Sequence, residues 1–240
     1  QLARIDAGAA VAVNGSRIVA TWSGTIGGDA ATQAAYSDNG GRDWNYPQRV
    51  PDGLSSPQIF AATGSGLGGG LGTDDAVVAM NSNFAIASRT IATADIGSKL
   101  QAVVSYDGGK SWGVPAHGEG GGPNTTISSA TADGGIGIVP WLSISGERAL
   151  IGATIVPVDF DVLNFHSAPA VLASADSGQS WETAARIPSG AHAPAVLPIS
   201  AGLAFTGVAL SGNKGLVSSG AGVPGADGQI NFDSPQRPSI

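Results

Sequence analysis

Ser105-Tyr106-Asp107-Gly108-Gly109-Lys110-Ser111-Trp112 has two close counterparts in the same chain. They are Ser37-Asp38-Asn39-Gly40-Gly41-Arg42-Asp43-Trp44 upstream and Ser174-Ala175-Asp176-Ser177-Gly178-Gln179-Ser180-Trp181 downstream. The shared pattern is Ser-x-Asp/Asn-x-Gly-x-polar-Trp, and its copies stand 68 and then 69 residues apart. A fixed period of this kind marks one supersecondary unit stacked several times. The residue types describe a corner. An Asp or Asn side chain hydrogen-bonds backbone N–H groups two residues on and closes a tight turn. The glycine two positions later supplies a φ > 0 conformation that other residues resist. The serine joins the same turn, and the tryptophan opens the next strand with a large apolar face for a neighbour. Ser37, Asn39, Gly41, Trp44, Ser105, Asp107, Gly109, Trp112, Ser174, Asp176, Gly178 and Trp181 are therefore read as structural staples.

Outward from each octapeptide, apolar runs of strand length precede it. They cover residues 11–13, 17–22 and 31–36 before the first, 76–80, 84–91 and 100–105 before the second, and 136–142, 149–156 and 170–174 before the third. Asn14-Gly15, Asn81-Ser82-Asn83 and Ser145-Gly146 lie between runs as hairpin signals. One more short strand follows each octapeptide. The unit is four antiparallel strands, A to D, with the octapeptide joining C to D, which is the blade of a β-propeller. At 68 to 69 residues the middle units exceed the first, and residues 57–63 and 124–132 are candidate extra strands within them.

The octapeptide resembles the Asp-box, or BNR repeat, of sialidase-like β-propellers. The second and third copies fit at every defined position; the first carries Asn39 where the family has Asp. The resemblance implies boxes on one face and ligands on the other, among the B–C and D–A loops.

The chain ends complement each other. The segments after the first and third boxes close with Arg49-Val50-Pro51-Asp52-Gly53 and Arg186-Ile187-Pro188-Ser189-Gly190, and the chain opens with Arg4-Ile5-Asp6-Ala7-Gly8. Residues 195–200, 203–210 and 214–219 look like strands A, B and C with no box after them. The expected fold is all-β: a single propeller domain over residues 1–222, four blades closed by the N-terminal strand. Five blades, or a fragment of a larger propeller, are the alternatives. Residues 223–240 read as an irregular tail, with 229–232 as a short strand.

Composition narrows the function. Of 240 residues, 42% are hydrophobic and only 12% charged, with 37 glycines, against a usual charged share of ~25%. That is the balance of short apolar strands joined by glycine-rich turns. The net charge is −7, with three lysines and no basic run. This excludes clustered phosphate neutralisation, hence nucleic acid as a partner, and attraction to anionic membranes. Without cysteine there is no disulfide, thiol nucleophile or thiolate metal site. No run of ~20 apolar residues occurs to form a transmembrane segment. The chain begins at Gln1, which reads as a processed N-terminus and leads to the expectation of a secreted or extracytoplasmic protein.

The loops opposite the boxes hold the candidate chemistry, because loops on a rigid scaffold carry function. His117, His166 and His192 fall there, as a set that suits zinc or another divalent metal. Asp29, Asp95, Glu119, Asp159 and Asp161 fall there too. Asp159 and Asp161, two apart, suit Ca²⁺; one of them with Asp29, Asp95 or Glu119 would make a general acid/base pair for a glycoside. Tyr46, Trp22 and Trp141 are candidates for a sugar-binding surface. A sialidase also needs an arginine cluster and a tyrosine nucleophile. Arg42 and Tyr106 are inside boxes, Tyr36 immediately precedes one, and only Arg89 sits on a B strand where it is expected to face the axis. Three readings follow: a non-catalytic propeller that recognises a glycan or protein partner through the loop face; a glycoside hydrolase using loop carboxylates; and a metal-binding protein using loop histidines. Self-assembly of so small a ring is an added expectation.

Overall fold

The computed structural model describes residues 7–26, 29–60, 76–93, 97–113, 126–129, 135–157, 168–186, 205–212, 214–220 and 228–231. These residues form four antiparallel sheets, each built from strands consecutive in the chain. The first is β1 (Ala7–Asn14), β2 (Arg17–Ile26) and β3 (Asp29–Ser37). The second is β4 (Val77–Met80), β5 (Ala85–Thr93), β6 (Gly97–Ser105) and β7 (Thr126–Ser129). The third is β8 (Gly135–Ser145), β9 (Arg148–Pro157), β10 (Ala168–Ser174) and β11 (Glu182–Arg186). The fourth is β12 (Phe205–Ser211), β13 (Lys214–Gly220) and β14 (Gly228–Asn231). All nine strands expected upstream of the boxes are present.

One register row runs through the four sheets. It reads Val13–Ile18–Ser37, Met80–Ala85–Ser105, Ile144–Ala149–Ser174 and Leu210–Gly215–Ile230. The serine that opens each box ends the third strand of its sheet. Ile230 holds that place in the fourth sheet, where the sequence has no box.

The sheets pack in chain order, β1 and β2 on β4, then β5 and β6 on β8, then β12 on β8 and β9. Because side chains alternate across a strand, β5 and β6 feed two cores. Ala85, Ala87 and Val103 join Val19, Ala34, Tyr36, Phe60 and Trp112. Ile86, Leu100, Ala102 and Val104 join Ala149, Ile151 and Leu172. Burial on both faces makes these strands nearly continuous in apolar and small residues. Each fully buried Val, Leu, Ile or Phe contributes about 1.5–3 kcal/mol.

The segments after the boxes differ from the expected D strands. Among the described residues, one continuous strand, β11, pairs along the sheet edge directly after the third box. After the first, Asn45 pairs with Tyr36, and the chain then crosses to the second box, where the Gln48 N–H donates to the Lys110 C=O (2.7 Å) and the Trp112 N–H to the Arg49 C=O (3.0 Å). It returns at Pro57–Ile59, where the Ala34 N–H donates to the Pro57 C=O and the Ile59 N–H to the Thr32 C=O, both 3.0 Å. In the second sheet, Gly113 pairs with Val104 and β7 pairs farther along β6. The described parts of the surplus segments, 57–60 and 126–129, thus complete existing sheet edges. Prolines 47, 51 and 57 account for the detour, since proline cannot donate to a ladder.

β12 and β13 were expected as strands B and C; the expected strand A, 195–200, lies outside the described residues. Among the described residues β12 opens the fourth sheet and packs on β8 and β9, and the Gly212 N–H donates to Ser145 Oγ at the end of β8 (2.9 Å). β14, inside the expected tail, is the third strand.

Candidate functional site

The boxes come first because they fix which end of each sheet is which. In all three, the serine Oγ accepts the backbone N–H four residues on: Gly41 to Ser37 (2.9 Å), Gly109 to Ser105 (2.8 Å) and Gly178 to Ser174 (2.9 Å). The same hydroxyl donates to the Asx Oδ1, which accepts the N–H of Asp43, Ser111 or Ser180. The Asx bond therefore reaches four residues on, where two were expected. Two residues of each turn have positive φ: Gly40 and Gly41, Gly108 and Gly109, Ser177 and Gly178. Each indole N–H closes on the carbonyl of the second of these, at 3.1 Å. Burial raises the pKa of Asp107 and Asp176, but hydrogen bonds from Ser111 and Ser105, and from Ser180 and Ser174, outweigh it; both carboxyls sit below the usual range. These groups are committed to the turn.

The opposite end holds the loops. Asp29 opens β3 and pairs with Ile26 across the β2–β3 turn, at the end of the first sheet away from the box. Asp95, Glu119, Asp159, Asp161, His117, His166 and His192 lie outside the described residues. Among the described residues no three His, Asp or Glu cluster as metal ligands. Of the three aromatic candidates, Tyr46 and Trp141 are exposed and Trp22 is buried.

A polar layer crosses the first two sheets between these ends. It sits four residues from the box row, about 13 Å at ~3.3 Å per residue. There Trp22 pairs with Gln33 and Arg89 with Gln101; the third sheet has Ala153 and Ala170. Arg89 is 1% exposed, its Nε donating to Gln101 Oε1 (2.8 Å) and Nη1 to Thr32 Oγ1 (3.3 Å), with its guanidinium 4.7 Å above the Phe60 ring. A planar, weakly hydrated guanidinium suits such stacking and bonding at once. Arg89 was expected to face the axis and instead joins the first sheet. The reason is parity: position 89 shares its strand face with Ala85 and Ala87, which pack on that sheet.

Thr21, Ser23, Thr32 and Ser88 complete the layer, all buried. Trp22 Nε1, Gln33 Nε2 and Gln101 Nε2 are buried donors with no acceptor among the described residues. A buried donor left unmet costs about 1–3 kcal/mol, so the layer has capacity for acceptor oxygens. Gln33 and Gln101 were not among the sequence candidates. The signal was there: Gln33-Ala34-Ala35-Tyr36-Ser37 and Gln101-Ala102-Val103-Val104-Ser105 share Gln-Ala-x-x-Ser, and the third copy has Ala170 in place of Gln.

With this geometry in hand, the chain compares with known proteins through its fold. No protein-family model matches the sequence, and no curated protein matches it. Among solved structures, an α-L-arabinofuranosidase from Fusarium graminearum is similar at 13% identity and a TM-score of 0.51, over 94% of this chain and 62% of that one. A GH32 β-fructofuranosidase from Bombyx mori is similar at 10% identity and a TM-score of 0.47, over 88% and 40%. A Trypanosoma rangeli sialidase is similar at 12% and 0.45, over 90% and 34%. The chain spans between about a third and two thirds of the length of these proteins. At these identities the likeness is one of fold: an all-β, propeller-like succession of antiparallel sheets. Among the described residues no helix is long and apolar enough to cross a membrane.

Proposed function

We propose that this chain is a carbohydrate-recognising propeller of the extracellular type, which holds a glycan on the face opposite the boxes without cleaving it. The observation that carries this reading is the fold, shared with an enzyme named for an arabinofuranoside; the buried donors of Trp22, Gln33 and Gln101 lie beneath the loop end and would reach a sugar through bridging water. Sugars present many acceptor oxygens, which such water can join to the donors. A protein partner on the same face is the variant of this reading. Closure of the ring by the N-terminal strand along the edge of β14 belongs to the same proposal, as does secretion. The second reading is a glycoside hydrolase. The names of the similar structures favour it, together with Asp29 at the loop end of β3; it would recruit Asp95, Glu119, Asp159 or Asp161 as the second carboxylate. A third reading, a divalent metal held by His117, His166 and His192, rests on the sequence alone.

The test is incubation of the chain with a mixed glycan library, read by mass spectrometry for retention and cleavage. Retention without cleavage is expected, and Gln33→Leu should reduce it. Cleaved products would replace the binding reading with the hydrolase. Neither retention nor cleavage would remove the glycan from the proposal.

A further inference from the structure

At the box end, away from the polar layer, an open cleft of about 320 Å³ lies between the segment that leaves the first box and the second box. Its lining is Arg49, Val50, Val104, Tyr106, Trp112 and the Ser111–Gly113 backbone turn. The volume is at the lower end of small-molecule sites, which run about 300–1,000 Å³. Its walls are fixed. The Trp112 N–H donates to the Arg49 C=O (3.0 Å), Gly113 and Val104 exchange two bonds of 2.9 Å, and the Trp112 indole N–H is held by the Gly109 C=O (3.1 Å). Tyr106 is 54% exposed, yet its hydroxyl donates to the Ser177 C=O of the third box (3.3 Å). An aromatic ring tethered at its tip and open over half its surface is a preorganised platform.

The charges around the cleft select the ligand. Asp107 adjoins Tyr106 in the chain and Asp176 lies close enough to help raise the tyrosine pKa, after burial. Both carboxyls are held ionised by their own turn bonds. Arg49 is the one cation among the lining residues. Lys110 and Arg17 flank the second box, Lys110 paired with Asp38 at 2.8 Å, so the charges around the cleft balance and draw no anion. They leave a neutral group that has an apolar face for the ring and hydroxyls for the guanidinium. We propose that the Tyr106 cleft is a second carbohydrate site, taking a neutral sugar residue of a glycan chain with its C–H face on the Tyr106 ring and its hydroxyls toward Arg49. The site is independent of the loop-face reading, since it uses neither that face nor the polar layer.

The experiment is a titration of ¹⁵N-labelled protein with maltohexaose, cellohexaose and xylohexaose, and with an oligogalacturonate as the anionic control. The readouts are the Trp112 indole N–H resonance and the Gly113 amide. At least one neutral oligosaccharide should shift both. Tyr106→Ala should abolish the shift and weaken binding at this site about tenfold, the scale of one well-placed aromatic contact. Tyr106→Phe, which keeps the ring and loses the tether, should retain most of it. Arg49→Ala, at an exposed position outside the box bonds, provides an independent loss should Tyr106→Ala unfold. Shifts that survive Tyr106→Ala, tighter binding of the oligogalacturonate, or no response at Trp112 to any neutral sugar would each overturn the proposal. Binding seen elsewhere with Trp112 unmoved would overturn this site and leave the loop-face reading standing.

Discussion

The first and second boxes share their serine, Asx Oδ1 and indole bonds and have opposite surroundings. Trp112 is 4% exposed, packed with Val19 and Tyr36 of the first sheet; Trp44, with the same indole bond, is 43% exposed. A Cβ on Gly109 would stand 2.8 Å from Val19 Cγ2 and 3.1 Å from Tyr36 Cβ. On Gly178 it would stand 3.1 Å from Ile86 and Val104 of the second sheet, whereas on Gly41 its nearest neighbours are Ile18 of its own sheet at 3.4 Å and Trp44 of its own box at 3.9 Å. Each box therefore docks on the sheet before it, and the first box has no such seat among the described residues. Val11 and Val13 on the same sheet are 58% and 61% exposed. The turn is a local construction; its contribution to stability comes from the sheet it meets.

The largest expected effect breaks this contrast directly. Trp112→Ala should destabilise by about 3–5 kcal/mol, the range for a buried aromatic, and Trp44→Ala by under ~1 kcal/mol, both from urea unfolding. Equal losses would mean that the first box is seated on a further sheet, as a closed ring requires. Glycine gives the next pair. Gly109→Ala adds a steric clash of about 1–3 kcal/mol to a left-handed backbone penalty of about 1–2 kcal/mol. Gly41→Ala, at φ +84° and in ordinary contact with Ile18 at 3.4 Å, should pay only the second.

Such reasoning shows why some of the fold was legible in the sequence. The box repeat and the runs before it place nine strands, because Ser, Asx, Gly and Trp specify the turn through bonds within eight residues. The D strands were less legible. Whether the chain after Trp44 follows its own sheet or crosses to Lys110 depends on contacts some sixty residues away. Without a box, nothing local marks the C–D corner of the fourth sheet. Arg89 was placed on the correct strand but toward the wrong neighbour; parity with Ala85 and Ala87 decides that, and parity is visible only once the packing partner of that face is known. The polar layer was missed because Gln-Ala-x-x-Ser reads as ordinary strand until its register is seen.

The Asn39 exception sharpens the comparison further. In the second and third boxes the Asp Oδ2 accepts the hydroxyl of Ser111 or Ser180. In the first, Asn39 Nδ2 donates to Asp43 Oδ2 at 2.7 Å. Donor and acceptor have exchanged residues. Asn39→Asp should therefore cost about 1–2 kcal/mol by setting two carboxylates together, and adding Asp43→Ser should recover most of it, a coupling that a double-mutant cycle reads. The same exchange separates the boxes by pH. The folded pKa values of Asp107 and Asp176 are depressed, so the unfolded chain binds protons first as pH falls. Their stabilisation is complete above the unfolded value near 4 and is lost as pH drops through the lower folded values. Asn39 does not titrate. Acid titration followed by backbone amide exchange should open Gly109 and Gly178 before Gly41.

The smallest effect concerns the residue before each box glycine. Gly40 and Gly108 hold φ of 73° and 77°, and Ser177 holds 62° without being glycine. Ser177 is kept there by its backbone: its N–H donates to the Glu147 C=O at 2.6 Å and its C=O accepts the Tyr106 hydroxyl. Ser177→Gly removes the left-handed penalty and adds freedom to the unfolded chain, two terms of opposite sign. The net should be a stabilisation of under ~1 kcal/mol. Gly108→Ser runs the other way, since its Cβ would also press on Arg17 Cδ at 3.2 Å. That arginine is exposed and its chain can swing aside, so the loss should stay close to the backbone penalty, about 1–2 kcal/mol. A stabilising Gly108→Ser would mean that the turn is not held left-handed in solution, and the shared construction of the three boxes would have to be given up.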